Sequence, residues 1–117
     1  MGCLVEIKGK GVDSFDLARK YYSILFQVNN IPVTAKELDL IAFSAIHGTI
    51  STPPIREEFS KRFGIPKASI YNMSSKLQKL NIFVKASDNK IRVNPKIQLD
   101  FSKKAYKFII TLLKEGE

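Results

Sequence analysis

The side chains in this sequence with chemistry to offer are polar and cationic, and they crowd into one stretch. Between Lys67 and Leu80 stand Lys67, Ser69, Tyr71, Asn72, Ser75, Lys76 and Lys79, with no aspartate or glutamate among them. Ile70, Met73, Leu77 and Leu80 repeat at helical spacing, which predicts a helix with one narrow buried stripe. At about 100° per residue the opposite face carries Ala68, Tyr71, Asn72, Ser75 and Lys79, with Lys67 and Gln78 beside it. An amide such as Asn72 offers a donor and an acceptor together, as bidentate contact with adenine requires. Tyr71, Ser75 and Lys79 can reach base edges or phosphate, and Ser69 belongs to the same DNA-binding set. Lys61, Arg62, Lys67 and Lys76 are placed to hold a nucleic-acid backbone. Two β-rich runs follow, Ile82–Lys85 and Ile91–Val93, joined by Ala86-Ser87-Asp88-Asn89-Lys90. They put Lys85, Lys90 and Arg92 on a cationic hairpin. An acid-free polar helix leading into such a hairpin is what a reader of double-stranded DNA grooves requires. Each lysine taken alone is equally a solvated charge, and for Tyr71 the alternative is a ring partly buried against a neighbouring helix.

Catalysis and metal binding find no such cluster. Glu57 and Glu58 are adjacent on a predicted helix and so point about 100° apart, which is wrong for a cooperating pair. Gly9 and Gly11 lack the following positions of a phosphate-cradling loop. The single cysteine, Cys3, excludes an internal disulfide and multi-cysteine zinc patterns. The one histidine, His47, falls at a predicted helix C-terminus, where an imidazolium would meet the negative dipole end. We therefore expect no enzyme, no metal and no cofactor.

Charge is distributed unevenly. Residues 1–48 hold five Lys/Arg and five Asp/Glu, whereas residues 49–117 hold fourteen and six, so the whole net charge of +8 lies in the second part. Within 61–107 the count is twelve basic to two acidic, Asp88 and Asp100. Such asymmetry points to a polyanionic partner. No apolar run approaches the roughly 20 residues of a membrane span, and no basic segment with an apolar run behind it opens the chain. A cytoplasmic protein is expected, working on nucleoid or viral DNA.

The elements that must position these residues read as follows. Cys3–Lys8 alternates weakly, as a short strand would. A helix begins near Asp13 or Ser14, with Leu17, Ala18, Tyr21, Ile24, Leu25 and Val28 inward, and ends at Asn29-Asn30 and Pro32. Thr34 and Glu37 stand at capping-box spacing before a helix 35–47 that Gly48 closes. Thr49–Thr52 is a β-prone connector that could add an edge strand beside the hairpin. Thr52 is placed to cap a helix over 53–63, with Ile55, Phe59 and Phe63 inward and Gly64 as its stop. Two helices joined by the three-residue turn Gly64-Ile65-Pro66, with Pro66 in the second helix's first turn, make a helix-turn-helix arrangement. Beyond Asn94-Pro95, Ile97, Leu99 and Phe101 alternate as an extended segment would. Residues 102–114 read as a last helix with Ala105, Phe108, Ile109, Leu112 and Leu113 apolar. The expected class is mainly α with a small β hairpin (α+β), in one domain over 1–117 with a core at 33–95 and flanking N- and C-terminal helical segments.

In that order of elements the chain resembles a winged helix-turn-helix domain over about residues 33–95. It is similar to the MarR-type regulators and to the winged-helix replication initiators of phages and plasmids. The stretch 68–77, Ala-Ser-Ile-Tyr-Asn-Met-Ser-Ser-Lys-Leu, resembles their recognition helices. Asp88-Asn89-Lys90 stands where MarR-type proteins commonly carry Asp-x-Arg, keeping the charge without the planar fork. Val93-Asn94-Pro95 looks more like the initiators. The resemblance implies a transcriptional regulator or a replication-associated factor that binds double-stranded DNA. The apolar face of the last helix must be covered, by the helix near residues 15–28 or by a second subunit, and because small DNA binders of this kind commonly pair, the expectation is a homodimer. The alternative is a winged-helix interaction module, such as a virion or assembly component, whose basic face meets an acidic protein.

Overall fold

A computed structural model describes residues 14–99 in full and the backbone of 2–8 and 105–111. It contains β1 (Gly2–Lys8), α1 (Ser14–Val28), α2 (Ala35–His47), α3 (Pro53–Phe63), α4 (Lys67–Lys79), β2 (Phe83–Lys85), β3 (Ile91–Val93) and β4 (Ala105–Thr111). A 3₁₀ turn, Pro95–Ile97, follows β3. The architecture is mainly helical α+β, with two separate two-stranded antiparallel sheets, β1–β4 and β2–β3. No helix among the described residues is long and apolar enough to cross a membrane.

Local signals set the helix boundaries. At the start of α2 the Thr34 hydroxyl accepts from the Glu37 N–H at 3.1 Å, and the Glu37 carboxylate accepts from the Thr34 N–H at 2.8 Å. Gly48 closes α2 at φ +85°, a left-handed conformation that glycine adopts without a Cβ penalty. Asparagine does the same work twice more. Asn30 and Asn81 take φ of +56° and +60°, and Ile31 and Ile82 donate back to Phe26 and Leu77 at 2.8 and 3.0 Å. Those return bonds end α1 and α4 in the same cap, and the second sends the chain straight into β2.

Several expectations change. Thr52 occupies the cap position of α3 but makes no side-chain cap bond. Pro53 and Pro54 fill the first two helical positions, so the N–H usually offered to a cap oxygen at the second is missing. Pro66 is itself the cap residue of α4, one position before the helix. Leu80 is not part of the buried stripe; as the C-cap residue of α4 it stays 43% exposed. Ser74 takes a buried place beside Ile70 and Leu77 instead, with Met73 half-buried. In α1, Tyr22 and Phe26 are buried while Tyr21, Ile24 and Leu25 lie at the core's edge and Val28 is exposed.

The largest correction falls on the expected last helix. Ala105–Thr111 is a strand, paired antiparallel with β1 from Gly2↔Thr111 to Lys8↔Ala105. Tyr106, Phe108, Ile109, Ile110 and Thr111 are aromatic or β-branched, and a pleated partner is available in β1. The flanking C-terminal helix is therefore absent at 105–111, and the dimer expected through its face loses its basis. Phe101 and residues 112–114 lie outside the described residues.

The core gathers Leu17, Tyr22 and Phe26 of α1, Leu40, Ile41 and Phe43 of α2, Phe59 of α3, and Ile70 and Leu77 of α4. Phe43 and Phe59 meet edge-on with ring centroids 5.2 Å apart, and Phe63 stacks tilted on Phe59 at 4.7 Å. Such pairs add to the burial of large apolar surface. Tyr22 is fully buried, and its hydroxyl donates to the Ile97 carbonyl at 3.0 Å. Burial pushes its phenol well above the ordinary tyrosine range. That bond and the partial burial of Ile97 and Leu99 fold the segment after β3 back onto α1.

Candidate nucleic-acid interface

α4 is held from both ends and across its middle. At its start Ile65 is buried, Ser60 donates its hydroxyl to the Ile65 carbonyl at 2.6 Å, and Gly64 turns at φ +64°. Near its end Lys76 reaches the Glu37 carboxylate, at 2.9 Å to one oxygen and 3.1 Å to the other. Burial alone would raise the Glu37 carboxyl, but the Thr34 N–H and Lys76 outweigh it and hold the acid below its ordinary range. In the middle, the Arg56 guanidinium lies 5.2 Å from the Tyr71 ring centroid and donates to the Ser51 carbonyl at 2.6 Å.

With Ile70, Ser74 and Leu77 inward, the outward face of α4 presents Lys67, Ala68, Tyr71, Asn72, Ser75 and Lys79, all exposed. Ser69 is half-buried at its edge. Tyr71 is 55% exposed, its ring partly covered by Arg56 of the neighbouring α3 and otherwise open to solvent. Lys76 is exposed too, but its charge is compensated by Glu37.

The hairpin β2–β3 is docked rather than loose. Arg92 donates to the Gly48 carbonyl at 2.8 Å and pairs with Asp88 in the hairpin turn. Asp88 is held below the ordinary carboxylate range, first by the Arg92 hydrogen bond and then by the Lys90 N–H. The connector after α2 lies beside β3 but does not add the edge strand expected of it, since its contacts to Ile91 run mainly through the Thr49 and Ser51 hydroxyls and not through a backbone ladder. Thr49 donates its hydroxyl to the Ile91 carbonyl at 2.6 Å, and the Ile91 N–H donates to the Ser51 hydroxyl at 2.7 Å. Lys85 and Lys90 project from this hairpin, exposed.

The twelve residues singled out from the sequence thus divide. Lys67, Tyr71, Asn72, Ser75, Lys79, Lys85 and Lys90 are exposed, and none of those four lysines pairs with a carboxylate among the described residues. Lys76 and Arg92 are tied to Glu37 and Asp88. Arg62 lies over the Phe15 and Phe63 rings, with centroids at 4.7 and 5.2 Å, so its charge turns toward α1. Lys61 keeps a loose contact with Glu57 at 3.6 Å, one turn back, where both are exposed. Sequence reasoning missed Arg56, whose only signal was its place five residues after Ser51, and Lys96, an exposed cation just past β3.

His47 is exposed at the end of α2, its ring 4.1 Å from that of Phe43. Among the described residues no three His, Cys, Asp or Glu side chains gather as a metal site. What the α4 face and hairpin can do chemically is neutralise anions with lysine and offer amide, hydroxyl and aromatic contacts between those lysines. No family model, curated protein or solved structure matches this chain.

Proposed function

We propose that the protein is a winged helix-turn-helix binder of double-stranded DNA, acting as a small regulator or replication-associated factor. The observation that carries the reading is the outward face of α4, which is carboxylate-free and has Lys67 and Lys79 bracketing Tyr71, Asn72 and Ser75. In this reading α3 and α4 form the helix-turn-helix, α4 enters the major groove, and the β2–β3 hairpin is the wing. Asn72 and Ser75 contact base edges. Lys67, Lys79, Lys85 and Lys90 take phosphates, the last two from the hairpin.

The test is a binding isotherm on random duplex DNA at two salt concentrations. Four neutralised phosphates give a slope of about −3.6 in log K against log salt, so affinity falls roughly 150-fold from 50 to 200 mM. Absence of binding at the lower salt, or binding indifferent to salt, overturns the proposal and favours an acidic protein as the partner of this face.

A further inference from the structure

The base-reading surface of α4 lacks the side chain that most often reads guanine. Arginine does that with a planar fork to O6 and N7; lysine reaches the same atoms as a point charge, and the lysines of this outward face, Lys67 and Lys79, stand at the two ends of the helix and not at its centre. The chain has four arginines, and each is engaged within the molecule. Arg19 pairs with Asp39 at 2.6 Å. Arg56 donates to Ser51 and covers Tyr71, Arg62 covers Phe15 and Phe63, and Arg92 holds Gly48 and Asp88.

Between the lysines at the two ends of α4, the outward face offers Ala68, Tyr71, Asn72 and Ser75. Asn72 has the donor and acceptor that match adenine N7 and N6. Ala68 and Tyr71, three positions apart, lie on the same side of the helix and make a small apolar patch. The apolar group that a major groove presents is the thymine 5-methyl. The Tyr71 ring is set in place for such a contact. Arg56 lies over it, and it borders a pocket of about 30 Å³ with Ile50, Ile70 and Ile91.

Resting on the duplex-DNA reading above, we infer that the protein selects an A·T-containing step. Asn72 reads the adenine, and Tyr71 with Ala68 packs on the thymine methyl.

The experiment selects duplexes from a random pool with the full chain, then alters single atoms of the selected DNA. Replacing a contacted thymine by uracil removes the methyl and weakens binding by about fourfold, the loss of one buried carbon. Tyr71→Ala abolishes that sensitivity, whereas Tyr71→Phe retains it. 7-Deazaadenine at the adenine weakens binding by the parent protein and leaves Asn72→Ala unaffected. Both positions are exposed, and matching melting temperatures verify that the variants are folded. A selected motif centred on guanine, or a parent protein indifferent to uracil, overturns the inference while the duplex-binding function stands. Duplex bound without base preference does the same. No duplex bound at low salt overturns the function itself and this inference with it.

Discussion

Replacing Lys76 by alanine separates holding the fold from holding a polyanion. Its partner, the Glu37 side chain, is 6% exposed, whereas Lys76 is 50% exposed. The substitution leaves a buried carboxylate with the Thr34 N–H as its remaining partner in the pair of contacts described above. Breaking a fully buried ion pair costs about 3–5 kcal/mol. Here the lysine end is in water, so screening reduces the loss to about 1–2 kcal/mol, the worth of one charged hydrogen bond. For a chain of this size that lowers Tm by roughly 4–8 °C. The pH dependence has a definite sign. Glu37 is held below its unfolded value, so the unfolded chain binds more protons in the window between the two. The stabilisation is full above the unfolded value of about 4.3 and disappears as pH falls through the folded one. Parent and variant therefore differ most at neutral pH and converge in acid. Urea melts followed by circular dichroism at pH 7 and pH 3 measure both limbs. Because Glu37 already neutralises Lys76, the salt slope of DNA binding changes by much less than one, while Lys79→Ala lowers it by about one. An unchanged Tm at pH 7, or a loss undiminished at pH 3, refutes the pairing; a full unit lost from the slope refutes the neutralisation.

Three further outcomes are expected. Asn72→Ala weakens binding to a preferred site by about 1–3 kcal/mol and to random DNA far less, while Lys90→Ala weakens both alike and lowers the salt slope by about one; isotherms at matched salt on the two duplexes compare them. Gly48→Ala forces an L-residue to φ +85° and costs about 1–2 kcal/mol in urea melts. Phe59→Ala empties a fully buried site between Phe43 and Phe63 and costs about 3–5 kcal/mol by the same measurement, which leaves the fold marginal.

What could be read from the sequence was what short-range chemistry decides. The Thr34–Glu37 capping box, the Gly48 and Gly64 stops and the Gly64-Ile65-Pro66 turn each involve neighbours within a few residues, and each lies where the spacing put it. The strand at 105–111 was hidden because Ala105, Phe108, Ile109, Leu112 and Leu113 also satisfy helical periodicity. The deciding partner is β1, at the other end of the chain. The inner face of α1 holds at Leu17 and Ala18 but shifts to Tyr22 and Phe26 beyond them, for a related reason. Tyr22 is drawn inward by a bond to Ile97, 75 residues away, which no local period encodes. The candidate site was legible as a list of exposed side chains. It was not legible as a set of free charges, because Glu37, Asp88 and the Phe15 ring that engage Lys76, Arg92 and Arg62 come from other elements or from a turn.

The division between arginine and lysine in this molecule has a physical basis. A guanidinium is planar, weakly hydrated and able to stack, so it loses little on leaving water for an aromatic face or a backbone carbonyl. An ammonium is a compact, strongly hydrated charge that gains more by staying in solvent. The four arginines accordingly act as struts: Arg56 braces the middle of α4, and Arg92 docks the hairpin on the end of α2. The α4 cap that leads through Ile82 into β2 makes the helix and hairpin continuous. Lys67 and Lys79 on the helix and Lys85 and Lys90 on the hairpin therefore stand on one braced frame, with their own side chains exposed to water. A partner of this face meets fixed backbone spacing and adaptable charge. The cost of ordering falls on lysine rotamers, about 0.5–1.5 kcal/mol for each side chain immobilised, and not on the frame. That favours a partner whose anions repeat at regular intervals, since one rigid spacing then satisfies several lysines together.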